Sequence, residues 1–413
     1  MSPLLFLPGL LLLVAAVGLT ADLIQLGITW FSFRRRPVTG PNRIGISILK
    51  PLCGDDDDLA ENLRQFATLP YPNYELILGV KDARDPAYAV ARDAEQRWPG
   101  KVKVVIQRGD PGLNPKVNQL CTMVEYATRP IVLVSDSNCR APDGYLEEIG
   151  AIFETDPTVA CTSNPIIGIG EEKLGSALDN LYLASVAVMG VVTAKAFGRD
   201  IVIGKSMALR RSDLEKMGGF LAARNHLAED YVLGKKVAEL HKKVRICQLP
   251  VYQVSQKKSW ADFLSRHRRW AIIHRTAIAP STYFGEGMIN PLPWTCLALM
   301  AYPHRVTLLA FAACWAVKTL SDWAAIRIHR PGFGLMTPFY VLLKDLGLFV
   351  AWCNGIFRRT VSWRGTRLRV EHGSRLRPPE PEVDAGELPE PALASASWHT
   401  RTGRHERDGD RVA

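Results

Sequence analysis

Residues 4–33, LLFLPGLLLLVAAVGLTADLIQLGITWFSF, hold a single charge, Asp22, in an otherwise uncharged stretch. A helix of this length crosses a hydrocarbon core of roughly 30 Å. A cleaved signal peptide would begin with a basic segment and have a shorter apolar run. This stretch has neither feature, so a retained anchor is expected. Arg34, Arg35 and Arg36 follow at once, and the excess of positive charge on the cytoplasmic side of membrane proteins puts the next residues in the cytoplasm.

The 413 residues are 47% hydrophobic, enough for a sizeable core, and carry a net charge of +10. That charge does not point to nucleic acid. Many basic residues, such as Arg34–Arg36, Arg358, Arg359, Arg364, Arg367 and Arg369, flank apolar segments, where anionic lipid headgroups are the partner, and no zinc-finger or RNA-binding pattern is present. The eight cysteines lack C-x-x-C spacing and read as buried thiols of a reducing compartment.

After the anchor, apolar β-branched runs alternate with helical patterns. RIGISILKPL, YELILGVKD, KVKVVIQ and PIVLVSDSN read as strands; DDDDLAENLRQFATL, AYAVARDAEQRW and KVNQLCTMVEYA read as helices. Such alternation predicts an α/β domain with a mostly parallel, Rossmann-like sheet covered on both faces. Ligands of open sheets bind beyond the carboxyl ends of the strands, which singles out Asp82, Asp85 and Asp136. From about residue 285 three apolar segments suggest membrane-embedded helices, the first of them re-entrant. Lys318 and Asp322 stand one helical turn apart there and can pair, lowering the cost of burial. The expected division is an anchor at 1–36, a cytoplasmic catalytic domain at 37–284, membrane helices at 285–371 and a disordered Pro-, Glu- and Arg-rich tail at 372–413.

Each candidate has a plain reading beside the chemical one. GDDDD at 54–58 resembles a metal site, but acids at a helix start cap free amides and suit the helix dipole, which is the preferred reading. GKS at 204–206 is not a Walker motif, because the spacing to Gly198 is wrong by one residue. Asp136 can ligate Mg²⁺ or Mn²⁺ that bridges a diphosphate, or simply form a turn. Asp82 and Asp85 can hold a uracil or ribose edge, or serve as turn residues. Lys116 opens a helix where it adds charge to an anion site, or is a solvated lysine. Glu229 and Asp230 are adjacent and do not share a helical face, so one is expected to enter the cleft; capping is the alternative. In SWADFLSRHRRWAIIHR, Ser259 and Asp262 fit a capping box. Arg266 and Arg269 then share a face with Trp270 beside them, either to clamp phosphate and floor a sugar or to form a basic stripe against solvent or lipid.

The ordered set KPLCGDD, KDARDPA, NPKVNQL, VSDSN, GKSMALRR, AEDYVLG and RHRRW resembles the ceramide glucosyltransferases, a membrane-bound branch of the inverting GT-A glycosyltransferases, over roughly residues 45–275. The resemblance implies that the family's three functional aspartates are Asp85, Asp136 and Asp230, and that its (Q/R)-x-x-R-W motif is Arg266, Arg269 and Trp270. It implies an integral membrane enzyme with a cytoplasmic site, in a bacterial inner membrane or a Golgi or ER membrane. Glucose would pass from UDP-glucose to the primary hydroxyl of ceramide with Asp230 as base, a divalent cation at Asp136, and Asp82, Asp85, Lys116, Arg266, Arg269 and Trp270 binding the donor. One departure is that Ser135-Asp136-Ser137 offers one carboxylate where many relatives have D-x-D. Hopanoid glycosyltransferases share much of the pattern, and processive polysaccharide synthases share its acids and Q-x-x-R-W. A tethered binding protein without catalysis is a further alternative, against which the retention of all these residues argues.

Overall fold

The computed structural model describes residues 3–378 apart from 55, 200, 331–333 and 364–365. The apolar N-terminal run forms α1 (Pro3–Ser32). It leads into β1 (Ile46–Pro51), α2 (Leu59–Ala67), β2 (Tyr74–Val80), α3 (Ala87–Arg97), β3 (Val102–Ile106), α4 (Pro115–Met123) and β4 (Ile131–Ser135). β1 and β4 are buried along their whole length, which is why they read as continuous apolar runs. Next come β5 (Cys139–Arg140), α5 (Tyr145–Thr155), β6 (Val159–Ser163) and β7 (Ile166–Ile169). α6 (Leu174–Tyr182) and α7 (Val188–Ala196) continue one another through a π-helical stretch at Leu183–Ala187. β8 (Ser206–Arg210), α8 (Arg211–Lys216), α9 (Glu229–Glu239), β9 (Lys243–Ile246), β10 (Val251–Val254) and α10 (Trp260–Ala277) follow. The remaining elements are α11 (Pro280–Ile289), α12 (Pro291–Ala301), α13 (Arg305–Arg327), α14 (Thr337–Phe357), β11 (Thr360–Trp363), β12 (Thr366–Val370) and β13 (Leu376–Arg377).

The main sheet has the order β3-β2-β1-β4-β8-β6-β9. The first four strands are parallel, as the alternating pattern predicts. β8, however, runs antiparallel to both β4 and β6, so the sheet is mixed. This matters for the site: Ser206 at the start of β8 pairs with Ser135 at the end of β4. The residue before Ser206 is therefore delivered to the carboxyl end of the parallel strands, beside the point where the order turns from β1 to β4.

Among the described residues four helices are long and apolar enough to cross a membrane, spanning Phe6–Ser32, Leu174–Ala196, Arg305–Arg327 and Gly334–Phe357. The second of these, α6–α7, lies in the sequence of the expected catalytic domain. It is also the most enclosed, with 61% of its apolar window buried against 22–33% for the others. α12, with 11 residues, is too short to span at about 1.5 Å per residue. The pair anticipated at Lys318 and Asp322 forms and is part of a larger network. Lys318 also contacts Asp22 of α1 at 3.0 Å, and Lys344 of α14 contacts Asp322 at 3.1 Å and its neighbour Asp345. Charges that would be costly alone thus tie three helices together.

Folded chain extends past residue 372, where a tail was expected. Ser374 accepts from Leu227 N at 2.8 Å, and Leu376 N donates to Asn225 O at 2.7 Å. Val361, Leu368, Val370 and Leu376 bury against Leu227 and Ile272, so the small β11–β13 sheet covers the approach to α9. The remainder of the expected tail, 379–413, lies outside the described residues.

Candidate active site

The antiparallel entry of β8 places Lys205 against Asp136. Its Nζ reaches Asp136 Oδ2 at 2.8 Å, and Lys116 Nζ reaches Oδ1 at 2.8 Å. Lys116 sits in the first turn of α4, whose N-cap, Asn114, accepts from the amides of Lys116 and Val117. It is not a solvated lysine: it also contacts Glu229 at 2.8 Å and donates to Gly204 O at 2.9 Å. Burial opposes its charge, but Asp136 and Glu229 outweigh that and raise its pKa well above the usual lysine range. Burial likewise disfavours ionised Asp136, yet the two lysines hold its carboxyl well below the ordinary range.

Both acids that open α9 join this cluster. Glu229 is buried against Lys116, and Asp230 Oδ2 accepts from Gly204 N at 2.7 Å. One of the two was expected to enter a cleft; in the structure both join the cluster around Lys116 and Gly204, and neither serves as N-cap, a position held by Ala228. Gly204 is enclosed by the cluster: a methyl group there would lie 2.9 Å from Glu229 Oε1, 3.1 Å from Asp230 Oδ2 and 3.2 Å from Lys116 Nζ. Burial, then the neighbouring charge of Glu229, pushes the Asp230 carboxyl up to about 6. A carboxylate tuned close to neutral pH suits a general base.

The residues as they stand do not fit a divalent cation. Both oxygens of Asp136 are taken by ammonium groups. Among the described residues no group of three His, Cys, Asp or Glu side chains is placed to hold a metal. A cation at Asp136 would first have to displace two like charges.

Asp85 holds the neighbouring loop in place. Its Oδ1 accepts from Gly54 N at 2.8 Å and from Ala87 N at the start of α3 at 2.9 Å. Asp82 instead turns to Arg84, accepting from its amide at 2.8 Å, with its side chain 40% exposed. The acidic run is not a cap either: Asp58, the N-cap of α2, makes no side-chain bond to the helix. It pairs with Arg140 at 3.0 Å and accepts from Gln256 Nε2 at 2.8 Å, while Asp57 accepts from Gln256 N and Asp56 binds Ser137 beside Asp136. The run laces the β1 loop to β5 and the segment after β10.

The capping box of α10 is present, with Ser259 Oγ accepting from Asp262 N at 3.2 Å and Asp262 Oδ2 accepting from Ser259 N at 2.8 Å. From that start the helix buries Arg266 against the fully buried Asp179 of α6 at 2.6 Å and Gln253 at 3.0 Å. Trp270 lies under the guanidinium, 4.5 Å from its ring centre, and Arg269 is partly buried on the same helix. Asp179 also receives His267 at 3.0 Å and Lys258 at 3.2 Å. The stripe is therefore not simply solvated: Arg266 is braced from behind by a carboxylate.

The profile of the family described as Glycosyl transferase family 21 matches residues 10–376 of this chain. The chain belongs to glycosyl transferase family 21. It is 25% identical over 345 residues to ceramide glucosyltransferase 3 of Caenorhabditis elegans, covering 81% of this chain and 75% of that one. It is 25% identical over 351 residues to ceramide glucosyltransferase 1 of the same organism, covering 82% and 74%. A solved mannosyltransferase from Pyrobaculum calidifontis, in complex with GDP-Man and Mn²⁺, is similar at 18% identity over 84% of this chain and 99% of that one, with a TM-score of 0.46. Its family makes the protein a glycosyltransferase, with an α/β domain built on a mixed sheet and, among the described residues, four helices long and apolar enough to cross a membrane.

In this family member three charged groups escaped the reading of the sequence. Lys205 lay inside the rejected GKS motif. Asp179 had a signal, a lone acid in the apolar helix LGSALDNLY, of the kind that marks function or pairing in buried helices. Lys50, at the end of β1, is fully buried, donates to Asp136 O at 2.7 Å and is brought down to about 8 by burial; its place in an apolar strand gave no warning.

Proposed function

We propose that the protein transfers a sugar from a nucleoside-diphosphate donor to a lipid hydroxyl with inversion, and that the reaction is transfer of glucose from UDP-glucose to the primary hydroxyl of ceramide. The observation that carries this reading is the joint hold of Asp230 and Lys116 on Gly204, which sets a base of pKa about 6 against the cations of the same cluster. The likeness to curated ceramide glucosyltransferases supports the donor and acceptor classes.

In this reading the donor's diphosphate lies toward Lys116 and Lys205, which exchange part of their contact with Asp136 for phosphate oxygens. Two ammonium groups there stabilise charge as the sugar–phosphate bond breaks. Asp85, with one oxygen engaged by Gly54 and Ala87, offers the other to the nucleotide. Asp230 removes the proton of the acceptor hydroxyl as it attacks the anomeric carbon from the face opposite the diphosphate. Arg266 and Trp270 form a rigid wall, braced by Asp179, with Arg269 on the same helix. The apolar helices keep the acceptor's chains in lipid while its headgroup enters a site on the cytoplasmic side.

The test is purified protein with UDP-glucose and either a ceramide or a hopanoid lipid, followed by UDP release and mass spectrometry. Release only when donor and ceramide are both present, with one hexose added per lipid, is expected. Polymer formation, or release independent of lipid, would remove the reading.

A further inference from the structure

α10 does not end its useful run at Trp270. One helical turn on, His274 Nδ1 meets Glu286 Oε2 of α11 at 3.0 Å. The two side chains remain 46% and 40% exposed. A pair this open to water is worth little to stability, on the order of 0–1 kcal/mol, so stability does not account for it.

The position of α11 gives the pair its meaning, because the ten-residue helix has three different faces. Tyr283 and Gly287 face α14, where Tyr283 Oη donates to Trp352 O at 2.7 Å and Trp352 Nε1 donates to Tyr283 O at 3.1 Å. Phe284 and Met288, one turn apart, are 49% and 44% exposed, and apolar side chains such as Phe31 of α1 and Val350 of α14 are exposed as well. α11 also packs on α1, with Gly18 closely covered by the Met288 carbonyl. Glu286 points to neither face but to His274. Glu286 thus stands apart from the exposed apolar pair and from the face packed on α14, and it presents its carboxylate to α10. Although the His274 side chain keeps access to water, the protein packed around it works against its charge; Glu286 and then Asp230 outweigh this and raise its pKa, so the dyad lies within the electrostatic reach of the base.

Among the described residues no hydrogen bond reaches Glu286 Oε1 or His274 Nε2. Glu286 thus keeps a free acceptor oxygen and His274 a free ring nitrogen. We propose that His274 and Glu286 form the acceptor-headgroup subsite, in which the free carboxylate oxygen takes the amide N–H of an N-acyl amino-alcohol lipid and the imidazole meets its hydroxyl. This rests on the transferase reading above and deepens it. A headgroup that carries both an amide N–H and a hydroxyl can meet the carboxylate and the imidazole together, whereas an ester lipid with only a hydroxyl can serve one of them and gives up one hydrogen bond.

The experiment compares wild type, Glu286→Gln, Glu286→Asp and His274→Ala, all as full-length protein in nanodiscs, with UDP-glucose as donor. The acceptors are a short-chain ceramide and a diacylglycerol of matched chain length. For Glu286→Gln and His274→Ala the KM for ceramide is expected to rise about tenfold or more, since a hydrogen bond to a charged group is worth at least that. The KM for UDP-glucose and kcat stay within about twofold, the ceramide-to-diacylglycerol preference shrinks, and Glu286→Asp recovers part of it. An unchanged ceramide KM, or a donor KM that rises in step with it, overturns the subsite. If wild type itself releases no UDP with either lipid, the transferase reading fails first and the subsite with it. Thermal unfolding of each variant separates loss of fold from loss of binding.

Discussion

Asp230 and Lys116 hold Gly204 from both of its backbone groups: the carboxylate takes its N–H at 2.7 Å and the ammonium gives to its carbonyl at 2.9 Å. The base and the cation proposed for the diphosphate are thereby fixed relative to each other through one residue without a side chain. Gly204→Ala would push a methyl group into all three charged neighbours, and is expected to lower kcat while donor binding largely survives. Wild-type kcat in that variant would show that the spacing does not matter.

Asp230→Asn is expected to cut turnover by about 10²- to 10⁴-fold with UDP-glucose binding nearly intact. The melting temperature should not fall, because the amide removes a carboxylate that burial makes costly to ionise. A variant that keeps more than about a tenth of the wild-type rate contradicts base catalysis at this position.

Turnover should rise as pH passes about 6 and level off above it, since Asp230 must lose its proton to act. The same group makes an opposite contribution to the fold. Its folded pKa is raised, so the stability it contributes is present at low pH and is lost as pH climbs through about 6. A rate profile flat across that range, measured at saturating donor, would exclude Asp230 as the titrating base.

Lys205→Met should raise the KM for UDP-glucose by about tenfold or more, because it removes one ammonium from the proposed diphosphate site. With two lysines on Asp136, wild-type turnover is expected to survive chelation of divalent metals. Loss of activity on chelation, with recovery on adding Mn²⁺, would show that the lysines give way to a cation.

Asp179→Asn leaves Arg266 and Lys258 without their counter-charge. Breaking a buried pair in this way costs about 3–5 kcal/mol, so a lower melting temperature is expected together with a raised donor KM. A drop in melting temperature with donor KM unchanged would limit Asp179 to a structural role.

Lys318→Met should destabilise the membrane helices by a similar mechanism, since Asp22 and Asp322 lose their shared ammonium. The surviving folded fraction should keep its kinetics, which activity per folded molecule will test.

The parts legible in the sequence share one property: they depend on near neighbours. The long apolar N-terminal helix, the alternating strands and helices of the first half and the capping box at Ser259 and Asp262 follow from composition, periodicity and short-range hydrogen bonding. Acids at the ends of strands were also predictable, and Asp85 and Asp136 stand there. The acids at 56–58 were misread because a cap is a local answer, whereas the partners of Asp58, Arg140 of β5 and Gln256 just after β10, come from distant parts of the chain.

By itself, then, the sequence determined which segments are apolar, which alternate and which acids terminate strands, because these are set within a few residues. Only the tertiary structure decided the charge partners of the site. Lys205 meets Asp136 across 69 positions, Lys116 meets Gly204 across 88, and Arg266 meets Asp179 across 87. Such pairings depend on which faces are brought together, here by the antiparallel entry of β8 beside β4 and by α10 packing on α6. No local pattern encodes them, since a lysine before a strand looks the same whichever neighbour that strand acquires.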